Sequence, residues 1–385
     1  MTTIELRGIT WGHTRGFVPL VATAQRYSEL HPNVSIGWEK RTLQEFADFP
    51  LERLVERFDL LVIDHPSVGA AAAHNLLVPF DQYLPAAFLA DQAANSVGAS
   101  YASYSVANHQ WALAIDAATP VSGYRPDLLE KAGVEPPGTW ADLLELAERG
   151  LVVMAGIPID SLCHFYMLCT GLRSEPFRQE EAVVPDETGI RALVMLRELM
   201  QKAIPGCLAR NPIAVWELLS SGDGAAYCPF AYGYSNYARP GYARHALEFG
   251  GLIGPAGGLR CRSTLGGAGL AISSRCRHIE AAADYCAFTA GAGCQTGLYF
   301  EAGGQPGYRA AWLDDRINAS SRNFFRNTLP TLEEAWLRPR WDGYLNFQDA
   351  AGEIVHAYLL RGGDPALVVG RLNSLLRSTR TKELV

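Results

Sequence analysis

The sequence lacks the long apolar runs and the surplus of basic residues that mark two large classes of protein. No stretch approaches the roughly 18–20 uninterrupted apolar residues that a membrane-spanning helix needs. The most apolar segment, Val68–Phe80, is interrupted by His74, Asn75 and Pro79. Lysine and arginine number 33 against 40 aspartate and glutamate residues, a formal net charge of −7. We therefore expect neither a membrane-spanning protein nor one that binds nucleic acid.

Signatures of metal sites and disulfides are also scarce. The eight cysteines include no C-x-x-C pair and no spacing typical of zinc ligands. Most stand beside apolar residues, as in Tyr227-Cys228-Pro229 and Tyr285-Cys286-Ala287, where buried thiols are common. We expect reduced, structural cysteines and no metal; one disulfide is the alternative.

The common catalytic motifs are absent as well. The sequence contains no phosphate-binding P-loop, no His-Glu-x-x-His motif and no Gly-x-Ser-x-Gly elbow. The glycine cluster Gly266–Gly269 does not have the spacing of a dinucleotide-binding fingerprint. The sequence thus predicts no cofactor and favours binding over catalysis.

The first residues do not decide between an exported and a cytoplasmic protein. Met1–Gly8 contains Glu5 and Arg7 and shows no basic segment followed by an apolar core, the pattern of a secretory signal. Eight cysteines would also invite mispairing in an oxidising compartment. We expect either an exported protein whose signal has been removed or a protein that stays in the cytoplasm.

The remaining sequence alternates between strand and helix patterns. Thr3–Trp11 reads as a strand, and a helix with one apolar stripe follows at Phe17–Tyr27. Pro32 ends this helix, and Val34–Trp38 alternates as a second strand. Phe58–Ile63 is a near-continuous apolar run, which is typical of a strand covered by helices on both faces. This order predicts a doubly wound parallel sheet.

A second set of elements follows a strand at Trp111–Ile115. The small residues at Asp116–Pro120 offer a place where the chain could cross to another lobe. Pro126 begins a helix that Gly133 ends, and Leu151–Ile157 reads as another buried strand. Two α/β lobes with more than one crossing between them fit this pattern.

One segment makes the prediction more specific. Val121–Trp140 contains Tyr124, an Asp-Leu pair, Lys-Ala-Gly and Pro-Gly-Thr-Trp, and it resembles a stretch of the family 1 extracellular solute-binding proteins. Arg125 stands where that family has an asparagine. Three further stretches resemble the family in the same order, so that the resemblance covers roughly residues 4–310: Phe58–Asp81, Leu265–Ser273 and Gly303–Arg309.

The resemblance implies a clamshell of two doubly wound α/β lobes, like that of periplasmic binding proteins, which closes by a hinge motion on a small solute. The first lobe would comprise residues 1–116 and 262–310, and the second residues 117–261 and 311–385. The implied function is capture of a sugar, polyol or small organic acid for ABC-type uptake, with an ABC permease as partner and a periplasmic location. A cytoplasmic metabolite-binding protein is the alternative.

The candidate ligand-binding residues of the first lobe follow predicted strands, because ligands bind beyond the carboxyl ends of strands in open parallel sheets. Trp11 could stack on a ring or close the core. Arg15 could donate hydrogen bonds or be solvated. Asp64 could accept from a hydroxyl or cap the next helix, and Asp116 could contact ligand or make a structural hydrogen bond. The candidates are Trp11, His13, Arg15, Asp64, His65 and Asp116, with Gly267 added by the resemblance.

In the second lobe the densest signal is Pro229–Tyr242, a loop with four tyrosines, two glycines and an arginine directly after a predicted strand. Tyrosine combines a large flat face with a hydroxyl, which suits a binding surface, although a packing surface is the alternative. His164 is the weaker choice, because a lone histidine among apolar residues is usually interior. The candidates are Asp160, Tyr232, Tyr234, Asn236 and Arg239.

An enzymatic alternative uses the same fold. Thiaminase I resembles this clamshell and uses a cysteine in its cleft, and Cys163 with the adjacent His164 would be the corresponding pair here. Neighbouring residues on a helix point about 100° apart, which makes this a poor nucleophile–base pair. We therefore predict a non-catalytic protein that binds a small polar solute.

Overall fold

The computed structural model describes residues 3–43, 45, 50–255 and 260–380. It divides into two compact units, each built from separate stretches of chain. Unit 1 comprises Met1–Ala118, Leu265–Ala319 and Leu337–Asp342. Unit 2 comprises Thr119–Thr264, Ser320–Trp336 and Gly343–Val385. Residues 311–319 and 337–342, which the sequence analysis placed with the second lobe, thus pack with unit 1.

Unit 1 contains a central five-stranded sheet and a two-stranded hairpin. The strands are β1 (Ile4–Trp11), β2 (Val34–Arg41), β3 (Leu60–Ile63), β4 (Ser105–Val106), β5 (His109–Gln110), β6 (Leu113–Asp116) and, later in the chain, β10 (Ala268–Ile272). The helices are α1 (Thr14–Leu30), α2 (Leu51–Val55), α3 (Val68–Ala73), α4 (Ala86–Ala94), α10 (Ile279–Ala290), α11 (Ala292–Thr296), α12 (Leu298–Glu301), α13 (Arg309–Leu313) and α14 (Asp315–Ser320), the last of which ends in unit 2.

Unit 2 is mostly helical around a three-stranded sheet. Its strands are β7 (Pro120–Tyr124), β8 (Tyr227–Tyr232) and β9 (Glu248–Gly250). Its helices are α5 (Pro126–Ala132), α6 (Trp140–Glu148), α7 (Pro158–Gly171), α8 (Asp186–Lys202), α9 (Pro212–Ser221), α15 (Phe324–Glu333), α16 (Tyr344–Arg361) and α17 (Pro365–Thr379). The predicted α/β class with two lobes is confirmed.

The sheet of unit 1 has the order β2-β1-β3-β10-β6. β1 pairs in parallel with β2 and β3, whereas β10 is antiparallel to both β3 and β6. All four residues of β3 are at most 3% exposed. Leu60 and Val62 pack into one apolar cluster, and Leu61 and Ile63 pack into another on the opposite face. The two clusters explain why this strand is a continuous apolar run.

This strand order collects several strand ends at one edge of the sheet. β1 and β3 run in parallel, so Trp11 and Ile63 end at the same edge. Ala268, the first residue of β10, pairs with Asp116, the last residue of β6. The segments that follow β1, β3 and β6 and the segment that precedes β10 therefore lie along a single edge, which we call the unit 1 edge.

The sheet of unit 2 differs from the expectation of a second parallel sheet. Its order is β8-β7-β9, and both pairings are antiparallel. The predicted strand Leu151–Ile157 is wrong, because only Val152 forms a bridge, with Tyr227. The backbone N–H of Val153 donates to Tyr227, but that of Gly156 donates to Arg210, so no ladder continues. The run is apolar because it is buried, not because it is a regular strand.

The segments at which the chain changes unit are hydrogen-bonded to one another within each unit, three of them in unit 2 and two in unit 1. On the unit 2 side, the Thr119 hydroxyl donates to the Thr264 carbonyl (2.8 Å), and the Trp336 N–H donates to the Ser263 carbonyl (2.6 Å). On the unit 1 side, the Gly266 N–H donates to the Ala118 carbonyl (2.8 Å). The chain changes unit directly beside each of these bonds. Within the part of the chain described, no helix is both long and apolar enough to cross a membrane.

Arg125 is a buried cation of unit 2, with its side chain 2% exposed. Its Nη1 donates to the carbonyls of Leu219 (3.1 Å) and Gly222 (3.0 Å) at the carboxyl end of α9, where helix carbonyls lack helical partners. Its Nε and Nη2 donate to the two carboxylate oxygens of Asp127 (2.8 and 2.7 Å). Arg125 therefore joins the end of β7 to the end of α9.

Replacing Arg125 with methionine should destabilise the protein, because the buried Leu219 carbonyl and the part-buried Gly222 carbonyl would lose their charged donor. We expect a loss of about 2–4 kcal/mol in the free energy of unfolding, measured by calorimetry and chemical denaturation. Arg149→Met is the matched control: Arg149 also donates to a carbonyl at a helix end, that of Ala132 (2.6 Å), but it is exposed. Equal losses in the two variants would contradict this role of Arg125.

Candidate functional site

The first part of the unit 1 edge is the turn from β1 into α1. Trp11 is 4% exposed and belongs to a core cluster, where its ring covers Gly16, so a Cβ at position 16 would lie 2.3 Å from it. His13 caps α1, because its Nδ1 accepts from the Arg15 N–H (3.0 Å). Burial, with Arg15 nearby, lowers the pKa of His13 to about 4. His13 is therefore a neutral imidazole at pH 7.

Arg15 and Asp116, both predicted as ligand contacts, form an ion pair with each other. The Arg15 Nε donates to Asp116 Oδ2 (2.7 Å), and Nη2 donates to Oδ1. Their side chains are 4% and 0% exposed. The Arg15 guanidinium also lies 6.0 Å from the centre of the Trp11 ring. Each charge thus has a buried partner at the edge, and a direct contact with solute stays a prediction.

Asp64 accepts two further hydrogen bonds at the same edge. Its Oδ1 accepts from the His65 N–H (2.8 Å), which caps the turn after β3, and its Oδ2 accepts from Arg338 Nη2 (2.6 Å). The Asp64 side chain remains 27% exposed, against 3% for Arg338. Burial opposes ionisation, but Arg338 and His65 outweigh it and hold the pKa of Asp64 well below its usual range. Asp64 is therefore an ionised, partly accessible acceptor.

His65 lies behind this pair and is fully buried. Its ring meets the Tyr104 ring edge-on, with centroids 6.5 Å apart. Burial, followed by the positive charge of Arg338, lowers the pKa of His65 to about 4. His65 is consequently a neutral imidazole at pH 7, and its backbone N–H donates to Asp64.

Gly267 lies at the unit 1 edge, where the backbone conformation requires a glycine. Its φ is +94°, and a Cβ there would lie 2.4 Å from the Asp116 carbonyl oxygen. The position therefore requires glycine, so that β10 can begin beside the end of β6. A role in approaching ligand stays a prediction.

In unit 2 the tyrosine-rich loop is anchored by a residue that the sequence analysis did not single out. Tyr237 donates from its hydroxyl to Glu217 Oε1 on α9 (2.6 Å). Its ring meets Tyr234 and Tyr242 edge-on, at 6.4 and 5.2 Å. The turn Ser235–Ala238 is buried, which fixes this cluster to the body of unit 2. The sequence of this loop contains four tyrosines, and nothing in its pattern distinguishes a tyrosine that packs against α9 from one that binds solute.

The predicted contacts of this loop differ in accessibility. Tyr234 and Asn236 are only 4% and 1% exposed. Tyr232 and Arg239 are half-buried, and burial lowers the pKa of Arg239 to about 10, so that it stays a cation at pH 7. The Tyr232 hydroxyl lies 3.3 Å from Thr264 Oγ1 beside a connecting segment. Whether these residues bind solute stays a prediction.

Asp160, Cys163 and His164 lie on α7 in the interior of unit 2. Asp160 is 3% exposed, and burial raises its pKa to about 8. The Cys163 Sγ lies 4.0 Å from the Tyr232 hydroxyl, whereas the His164 ring packs 5.5 Å from Phe230. Burial lowers the pKa of His164 to about 3. The cysteine and histidine thus contact different neighbours, as expected for adjacent helix positions.

The structure brings the seven unit 1 candidates to one edge and adds Arg338 to them. Of the candidates in the tyrosine loop, Tyr234 packs in the cluster around Tyr237, whereas the Tyr232 hydroxyl lies near Cys163 and Thr264; Asp160 lies on α7. Among the described residues, no three histidine, cysteine or acidic side chains are grouped in a way that could hold a metal ion. The edge and the loop are the two candidate surfaces, each described within its own unit.

The buried imidazole of His65 should make the protein less stable in acid. An unfolded histidine takes up a proton near pH 6.5, but folded His65 does so only near pH 4, so stability falls as the pH drops between these values. His65→Gln should remove up to about 3 kcal/mol of this fall. Denaturation at pH 7 and pH 4.5, with the exposed His278→Gln as control, measures it; an unchanged difference in His65→Gln would contradict the assignment.

Asp160 should have the opposite effect at higher pH. Its raised pKa means that the folded chain keeps a proton that the unfolded chain has already lost, so stability falls as the pH rises from about 4 to about 8. Asp160→Asn should therefore raise the free energy of unfolding at pH 8, by roughly 3–5 kcal/mol more than at pH 4. Asp186→Asn, in the exposed first turn of α8, is the control. A gain independent of pH would argue against a buried neutral acid.

Comparison with known proteins agrees with this architecture. No curated protein matches the chain in sequence. The structure of maltose-bound MalE3 from T. maritima superimposes with a TM-score of 0.84 at 18% identity, covering 98% of this chain and 100% of that one. A solute-binding protein of an ABC transporter from Agrobacterium radiobacter, in complex with ribitol, gives 0.82 at 18% identity, covering 98% and 99%.

A third similar structure is the GacH receptor of Streptomyces glaucescens, which was solved unliganded and with acarbose; it gives a TM-score of 0.80 at 16% identity and covers 99% of this chain and 100% of that one. At these identities the superpositions show the fold alone. The sequence model of the bacterial extracellular solute-binding proteins matches residues 54–309, about two thirds of the chain. This chain therefore belongs to the family of bacterial extracellular solute-binding proteins.

Proposed function

We propose that this protein binds a neutral sugar or polyol outside the cytoplasm and delivers it to an ABC transporter for uptake. The observation that carries the choice of ligand is the pairing of charges along the unit 1 edge. The sequence alone left a neutral sugar and a carboxylate equally open, because arginines and histidines suit both.

The paired charges favour a neutral ligand. Arg15 is bonded to Asp116 and Arg338 to Asp64, so each guanidinium has a carboxylate beside it. The imidazoles of His13 and His65 are neutral at pH 7, because their pKa values are lowered to about 4. A carboxylate ligand would find little net positive charge here. Hydroxyl groups, in contrast, can donate to the partly exposed Asp64 carboxylate and accept from the Nε2–H of the half-buried His13, whose Nδ1 already accepts from the Arg15 N–H.

The aromatic residues support the same class of ligand. Tyrosine pairs a flat apolar face with a hydroxyl, which suits the C–H faces and hydroxyls of sugars. The similar structures include proteins bound to maltose, ribitol, alpha-D-tagatose and D-mannitol. All four of these ligands are uncharged and rich in hydroxyls.

The free cysteines are compatible with an oxidising, periplasmic location. All eight are free; seven are buried, and Cys294 is half-buried. Burial raises the pKa of Cys276 to about 11, and those of Cys261 and Cys294 to about 12. Since the thiolate is the form that reacts, buried thiols with raised pKa values oxidise slowly. The cysteine content therefore does not oppose export.

A panel of ligands tests the proposed function. Isothermal titration and thermal shift should detect stoichiometric binding of at least one of maltose, ribitol, mannitol or tagatose, and no comparable binding of gluconate, ribonate or succinate. A ligand at one hundred times its Kd should raise the free energy of unfolding by about 2.7 kcal/mol. Recovery of the ligand unchanged is part of the expected result.

The affinities of the Arg239→Gln variant provide a second test of the ligand's charge, because Arg239 is the cation of the tyrosine loop. A neutral ligand should lose little affinity in this variant, whereas a carboxylate ligand would lose most of it. Exclusive binding of carboxylates, or conversion of a bound sugar to product, would overturn the proposal.

A further inference from the structure

Arg338 enters the unit 1 edge from a distant part of the chain. It lies in Leu337–Asp342, a segment of unit 1 that is flanked on both sides by chain belonging to unit 2; we call it the strap. The Arg338 Nε donates to the Leu265 carbonyl (3.3 Å), and Nη2 donates to Asp64 (2.6 Å). A guanidinium fixed in this way has a defined position relative to the Asp64 carboxylate.

The rest of the strap holds Arg338 in place. Arg340 Nη1 donates to the carbonyls of Ala102, Ser103 and Ser105, at 2.8, 3.0 and 2.9 Å. The Arg340 carbonyl lies where a Cβ on Gly69 would be, 1.5 Å away, so only glycine at position 69 lets the strap pack this closely. The strap is thus fastened to unit 1 independently of Asp64.

The Asp64 carboxylate can still accept hydrogen bonds from a solute. A carboxylate offers about four acceptor positions. The His65 N–H donates to Oδ1, which also lies 3.2 Å from the His65 Nδ1, and Arg338 donates to Oδ2. The side chain is 27% exposed, whereas that of Arg338 is 3% exposed. The carboxylate is therefore the accessible member of the pair, and the guanidinium supports it from within.

We propose that Arg338 is a positioning residue that fixes the Asp64 carboxylate as an acceptor for a solute hydroxyl and cancels its charge, so that the site selects a neutral sugar or polyol over its amino derivative. The inference rests on the proposed function and deepens it. An ammonium group at Asp64 would meet the Arg338 charge a few ångströms away, whereas a hydroxyl makes its hydrogen bond without that repulsion.

The test compares matched neutral and cationic probes. Titration calorimetry on the full chain would use ribitol, mannitol and maltose, each beside its mono-amino-deoxy derivative. The wild type should prefer the neutral member of a pair that binds. Arg338→Met should weaken the neutral ligand about tenfold or more and should lower the ratio of the amine Kd to the neutral Kd by at least tenfold, because Asp64 would then be an unpaired anion.

Two further variants separate positioning from general loss of structure. Arg338→Lys keeps the charge and should restore part of the neutral preference, although it cannot reproduce both bonds. Arg340→Met removes three bonds of the same strap and does not touch Asp64, so it should lower the Tm but leave the ratio of the two affinities unchanged. A loss of fold alone would weaken both members of a pair equally.

A readout without ligand tests the charge pairing directly. The carboxyl ¹³C signal of Asp64 should titrate at clearly lower pH in the wild type than in Arg338→Met, since the guanidinium holds the pKa of Asp64 down. The other titratable groups that face Asp64, His65 and Tyr104, are present in both proteins, and the pKa of His65 should rise in Arg338→Met because Arg338 helps to lower it.

The outcomes are distinguishable. If the wild type binds a neutral ligand but Arg338→Met leaves both the ratio and the Asp64 titration unchanged, the inference fails and the proposed function stands. If the wild type binds only the amines or the carboxylates, the proposed function fails and this inference fails with it.

Discussion

The structure of unit 1 depends on matching buried charges at the edge of its sheet. Asp116 ends β6 in a position where its side chain is fully buried, and an isolated carboxylate there would be strongly unfavourable. Arg15, from the first turn of α1, supplies the compensating charge with two hydrogen bonds. The pair fixes the helix that follows β1 to the end of β6, three strands away in the sheet. Removing either partner would leave a buried charge without compensation.

The same principle accounts for the chemical character of the edge. Two guanidinium–carboxylate pairs and two neutral imidazoles leave little net charge, and the Asp64 carboxylate and the half-buried His13 are the accessible hydrogen-bonding groups among them. Such a surface can recognise hydroxyl groups by geometry, whereas it offers a charged solute little attraction. The pairing that compensates the buried charges of the fold is also the feature on which the proposal of a neutral ligand rests.

The sequence could predict most elements of unit 1 and its edge, because both follow from local patterns. The apolar run Phe58–Ile63 predicted the buried strand β3. The rule that ligands bind beyond the carboxyl ends of parallel strands predicted that Trp11, Asp64 and Asp116 lie at the same edge. The sequence could not predict how these residues pair, since the partners are far apart in the chain: Arg15 and Asp116 are separated by 101 positions, and Asp64 and Arg338 by 274. An apolar run shows that a segment is buried but not whether it pairs as a strand, which is why the prediction for Leu151–Ile157 was wrong.

We infer that the bound solute is neutral and is recognised by hydrogen bonds beside paired charges. The most direct test is the dependence of solute affinity on ionic strength, measured by calorimetry from about 20 mM to about 500 mM salt, across which charge–charge attraction is progressively screened. A neutral solute should show a Kd that changes by less than about twofold over this range. A Kd that rises tenfold or more would show that the solute is held by its charge and would overturn the inference.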